Sequence, residues 1–190
     1  MGIMDFFRKQ NKSVSDELKG DMDFVSKTAG MNDSKTINKN YLCFSAMRNE
    51  LSENLIDEFV APIERDDIYN LSFCLFEEFN SVIKFCEFFS LLKTGFGDSI
   101  GQIGELFYKQ NNFFDIKALL KSPEKGYNAV SAELTVCRKV KKLIIGETCD
   151  NICYHNQPLI FYIAGSSGID IVSSIEATYN EICRVLINNS

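Results

Sequence analysis

Cys149, Cys153 and His155 place two thiols one helical turn apart, with an imidazole two residues further on. Zinc accepts that ligand set, and a fourth ligand would have to come from elsewhere in the chain. The plainer reading is that cysteines at alternate helical turns are small core residues. His155 is the sole histidine, which excludes a ferritin-like di-iron site built from two Glu-x-x-His pairs. It also ties any Ser-His-Asp or Cys-His arrangement to one residue, and nothing around it marks a nucleophile elbow, an oxyanion hole or an orienting acid. No catalytic residue is expected, and the protein reads as a non-enzyme. Gly95-Phe96-Gly97-Asp98-Ser99-Ile100-Gly101 brushes against a dinucleotide fingerprint, but it follows a helical stretch and lacks both the glycine spacing and the βαβ setting that the fingerprint needs.

The elements that must position these residues are helical. No alternating strand pattern flanked by turn residues occurs, whereas helical spacing of apolar residues recurs five times. Residues 1–35 form a polar N-terminal segment with room for one short helix near 15–29, and 36–190 read as the helical domain. The first strong stripe is Ile37, Tyr41, Phe44, Leu51, Leu55 and Phe59, ended by Pro62. The next helix opens at Glu64-Arg65-Asp66-Asp67, where carboxylates complement the positive end of the dipole, and is expected to reach Lys93. Its seam of Ile68, Leu71, Leu75, Phe79, Val82, Cys86 and Phe89 is apolar enough to sit deepest in a bundle.

Beyond the break at Gly95 to Gly97, Asp98 is a plausible N-cap for a third helix bearing Ile100, Ile103, Phe107, Phe114 and, later, Leu119 and Leu120. Ser122-Pro123 reads as an N-cap followed by proline at the first helical position, opening a helix with Tyr127, Val130, Leu134, Cys137, Val140 and Ile144. Gly165-Ser166-Ser167-Gly168 reads as a loop, with Ser167 and Asp170 forming a capping-box-like start for Ile171, Ile175, Thr178, Ile182 and Val185. The expected fold is an all-α antiparallel bundle of about five or six helices.

Composition agrees with that class. The chain has 190 residues, 45% hydrophobic and 24% charged, with 16 Phe, no Trp and only 3 Pro. Few prolines leave long helices unbroken, and phenylalanines supply bulk for helix packing. A net charge of −6 argues against a surface that tracks nucleic-acid phosphates, and Arg138, Lys139, Lys141 and Lys142 read as a solvated helix face. No apolar run approaches the roughly 18 residues of a membrane span, and the N-terminus lacks a secretory cleavage site. Seven cysteines at irregular spacing read as thiols in a reducing, cytoplasmic setting.

The segment Phe59-Val60-Ala61-Pro62-Ile63-Glu64-Arg65-Asp66-Asp67-Ile68-Tyr69 resembles the "F-I-T-P-F-D-R-E-D-I" signature of the PhoU-like family, whose members are often encoded beside Pit-type phosphate permeases. The resemblance implies a cytoplasmic, usually homo-oligomeric bundle that regulates a phosphate permease through protein contacts, reaching the membrane only through that partner. Pro62, Glu64, Arg65, Asp66 and Asp67 would form its signature turn and helix start.

The resemblance also implies acidic metal clusters, and here the chain departs from the family. Where acids are expected it has Phe76, Glu77 and Asn80, and Asn40 to Ser45 holds no acid at all. Ala132 to Cys137 keeps Glu133 alone. Glu77, Asn80 and Glu133 are thus weak metal candidates, no multi-metal cluster and no obligatory cofactor are expected, and a scaffold that keeps only the fold is the alternative function.

Overall fold

In the computed structural model, residues 65–87, 95–113 and 116–189 are described. Five α-helices account for nearly all of them, and there is no strand among the described residues. The helices are α1 (Arg65–Glu87), α2 (Gly97–Gln110), α3 (Ile116–Leu120), α4 (Pro123–Tyr154) and α5 (Pro158–Asn188), with a 3₁₀ turn at Asn111–Phe113. The all-α bundle read from the periodicity is the fold. Pro62 and Glu64, the stripe before them, and the N-terminal segment lie outside the described residues.

Prolines set both ends of the hairpin that forms the bundle's spine. Pro123 starts α4 behind Ser122, whose backbone carbonyl accepts the Gly126 N–H at 3.0 Å, while the Ser122 hydroxyl makes no cap bond. Pro158 starts α5 in the same way, because proline pushes the residue before it out of the helical region and itself needs no N–H at the first helical position. Gln157 duly leaves the helix, and the chain reverses between Tyr154 and Pro158. At about 1.5 Å per residue each arm is roughly 45–50 Å long.

The arms run antiparallel, as shown by contacts whose residue numbers rise on one helix as they fall on the other: Gly126 beside Leu186, Lys141 bonded to Glu176, and Thr148 beside Gly165. Helix α1 runs antiparallel to α5 as well, with Asp67 at Asn189 and Glu78 at Thr178. Helix α2 pairs antiparallel with α4, through Ser99 to Glu147 and Lys109 to Glu133. The four long helices therefore alternate in direction along the chain, with α5 touching all the others.

Asp98 lies in the first turn of α2 and is not its N-cap, because the helix already starts at Gly97. Gly165-Ser166-Ser167-Gly168 is not a loop; α5 passes through it unbroken, and Ser167 and Asp170 start no helix. The small residues serve packing. A Cβ on Gly165 would collide with Thr148 Oγ1, and one on Gly168 would sit 3.5 Å from Ile144. Glycine here lets α4 and α5 approach closely. The true start of α5 was marked by Pro158, nine residues before Ser167.

The core is the sum of the predicted stripes. Leu71, Leu75, Phe79 and Val82 on α1 are fully buried, as are Val130 and Cys137 on α4 and Ile171, Ile175, Tyr179 and Ile182 on α5. Leu134 is only partly buried and Tyr127 is exposed, so the α4 stripe is narrower than its spacing suggested. Helix α5 is, by length and composition, long and apolar enough to cross a membrane. In the bundle that character belongs to the central helix, packed against all its neighbours.

A buried polar layer as the candidate functional site

The residues singled out by sequence are scattered. Cys149 and Cys153 are exposed on the last turns of α4 and are not core residues. His155 caps that helix through its backbone N–H to Asn151 and stacks on Phe161 at 4.6 Å between ring centroids. No group of three or more His, Cys, Asp or Glu among the described residues is disposed to hold a metal. Glu77 points to solvent, Asn80 is half-buried, and Glu133 on α4 is paired with Lys109 at 3.5 Å. Phe73 is about half exposed, while Phe76 packs against the core.

At the helix start, Asp66 is exposed and Asp67 is fully buried. Asp67 does more than complement a dipole. Its carboxylate accepts a hydrogen bond from Asn189 Nδ2 at 3.0 Å and lies 2.7 Å from the Arg184 guanidinium, tying the start of α1 to the end of α5. Arg184 also pairs with Glu181, which raises its pKa further above its already high value.

The residue that sequence reasoning passed over is Glu78. One helical step of about 100° separates it from exposed Glu77, and that step carries it into the interior. It is 0% exposed. Gln110 Nε2 donates to its Oε2 at 2.8 Å, and the Thr178 hydroxyl donates to the same oxygen at 2.7 Å, so α1, α2 and α5 meet on one carboxylate. Tyr179, the next residue along α5, is fully buried, with its ring edge-on to Phe113 at 5.6 Å.

The signal was available. Glu78 stands three residues after Leu75 and four before Val82, on the apolar seam itself. Gln110 follows Phe107 by three, and Thr178 interrupts the isoleucine stripe of α5. A polar side chain on each of three otherwise apolar stripes is the pattern of a shared buried layer.

Burial dominates the electrostatics of this layer. Desolvation lifts the Glu78 carboxyl from 4.5 to about 7, against the opposing hydrogen bonds from Thr178 and Gln110. The Tyr179 hydroxyl is raised by burial first and then by the charge of Glu133. The Cys137 thiol is pushed up to about 12 by burial, with Glu176 adding to it, so it stays a neutral thiol.

The opposite end of the bundle is built differently. Asn151 Nδ2 donates to the Gly95 carbonyl at 2.6 Å and to the Glu147 carbonyl, and Ser99 Oγ donates to Glu147, so the chain entering α2 is fastened to α4. Just past that point the hairpin tip exposes Tyr154, Leu159, Tyr162 and Ile163, a concentration of large apolar side chains in solvent.

A scan of protein-family models finds no match to the chain, and neither does a search of curated proteins. Functional assignment therefore rests on the residues themselves.

Proposed function

We propose that the protein is a non-catalytic accessory of phosphate transport, working in the cytoplasm by protein contact with a Pit-type permease. The observation that carries this reading is the segment Phe59 to Tyr69, whose likeness to the PhoU-like signature runs directly into the start of α1. The all-α bundle that follows is compatible with it. The cluster of Tyr154, Leu159, Tyr162 and Ile163 at the hairpin tip suits a contact-based role, since large apolar groups concentrated in solvent mark interaction surfaces. Membrane association would come through the permease alone, and self-association through the same kind of apolar contact.

The test is co-purification of the full chain with a Pit-type phosphate permease from the same cells, with and without phosphate. Retention that changes with phosphate and weakens in Tyr162→Ser, Leu159→Ser supports the reading. Absence of retention under both conditions sinks it. The exposed tip also favours a second reading, a self-assembling scaffold without a transporter partner. Sedimentation of the isolated chain separates the two: assembly abolished by the tip substitutions, with no permease retained, favours the scaffold.

A further inference from the structure

The hydrogen bonds around Glu78 are one donor short. Its Oε2 accepts twice, from Gln110 Nε2 at 2.8 Å and from the Thr178 hydroxyl at 2.7 Å. Glu78 Oε1 and Gln110 Oε1 are buried without a partner. Each of these oxygens shares a planar group with one end of the 2.8 Å bond, and the terminal torsions of Glu and Gln are soft enough to turn the two toward each other. While the carboxylate is ionised both oxygens only accept, so neither satisfies the other. A proton on Glu78 Oε1 supplies the donor. Its O–H reaches Gln110 Oε1, and acid and amide close a cyclic pair of two hydrogen bonds across α1 and α2.

Neighbouring groups do not take that role. Cys74 on α1, Cys137 on α4 and Tyr179 on α5 lie within electrostatic reach of Glu78, but burial pushes the thiols up to about 11 and about 12 and raises the phenol as well, so all three stay neutral. Glu77 points to solvent. On α2, Lys109 is paired with Glu133 of α4, and on α5 Glu181 is paired with Arg184. An ionised Glu78 therefore faces neutral hydrogen-bond partners in a fully buried place, which is costly unless water reaches it.

We propose that Glu78 and Gln110 form a proton-operated latch: the neutral acid holds the C-terminal end of α2 to α1 and α5, and ionisation releases that end while the α4–α5 hairpin stays closed. The release is local because the other ties are independent of Glu78. The N-terminal end of α2 is fastened to α4 by Asn151, which donates to the Gly95 carbonyl at 2.6 Å, and by Ser99, which donates to Glu147. The hairpin is closed by Lys141 on Glu176 and by the tight approach of Gly165 to Thr148. The released end carries Gln110 and the 3₁₀ turn at Asn111–Phe113, whose Phe113 ring would leave Tyr179. This device does not depend on the proposed link to phosphate transport.

The test is hydrogen exchange read by mass spectrometry on the full chain, with rates corrected for the intrinsic pH dependence of exchange. Burial holds the Glu78 carboxyl at about 7, and opening returns it to 4.5, so the opening constant of residues 106–113 should rise about tenfold between about pH 6 and about pH 8. Protection around Lys141 and Glu176 should change less than about threefold. Glu78→Gln should abolish the rise, and Glu77→Gln should keep it. Should Glu78→Gln fold poorly, carbon NMR of the parent gives an independent reading: one glutamate carboxyl should titrate near neutrality, and the Gln110 side-chain amide should shift with the same midpoint. No glutamate titrating above about pH 6, equal opening at both pH values, an undiminished rise in Glu78→Gln, or equal loosening of the hairpin would each overturn the proposal.

Discussion

Replacing Glu78 by glutamine should remove a pH dependence of stability that the carboxylate imposes. In the folded chain the carboxyl is raised from 4.5 to about 7 by burial, so the folded state holds a proton that the unfolded state has released. Below about pH 4.5 both states are protonated and the group costs nothing. As pH rises through the interval up to about 7 the unfolded state ionises first, and stability falls. Above about pH 7 both states are ionised and the loss is complete.

A gap of about 2.5 pKa units at 1.36 kcal/mol each gives a penalty of about 3 kcal/mol at pH 8, and under about 1 kcal/mol at pH 5. Glutamine cannot ionise, still accepts from Thr178 and Gln110, and can donate to the Gln110 carbonyl oxygen, which otherwise has no partner. Urea unfolding followed by circular dichroism at the two pH values gives the difference between parent and variant, in which other titrating groups cancel. The variant should match or fall slightly below the parent near pH 5 and exceed it by about 2–2.5 kcal/mol near pH 8. A difference that stays constant with pH would refute the assignment of Glu78 as a carboxyl kept neutral by burial.

Leu75→Ala and Phe79→Ala should each destabilise by about 2–5 kcal/mol through cavity formation, because both side chains are fully buried on α1; a loss under about 0.5 kcal/mol in chemical unfolding would contradict that packing. Gly165→Ala should cost up to about 2 kcal/mol net, since overpacking against Thr148 at about 1–3 kcal/mol is set against the roughly 1 kcal/mol gained in helix propensity. Thr148→Ala in the same chain should recover most of it, and failure to recover would argue against a close α4–α5 approach at this point. Asp67→Ala should cost about 1–3 kcal/mol, by removing the carboxylate that Asn189 and Arg184 share across the helix ends; hydrogen exchange should then show fraying of the last turn of α5, and unchanged protection there would count against the tie.

Periodicity alone determined the helical class and most of the core. Leu71, Leu75, Phe79 and Val82 recur at helical spacing, and their burial follows wherever one apolar face must leave water. Pro123 after Ser122 likewise announced the start of α4, because proline's geometry acts within its own residue and the one before.

What sequence reasoning mistook depends on a partner helix. Gly165 to Gly168 has the composition of a loop, and only the side chains of Thr148 and Ile144 across the hairpin turn it into a packing surface. Asp67 has the position of a dipole partner, and only the return of α5 brings Asn189 and Arg184 to it. Glu77 and Glu78 are neighbours of the same type, and local propensity does not distinguish them. The bundle decides, because one helical step turns the first toward water and the second toward Gln110 and Thr178, which lie 32 and 100 residues further along the chain.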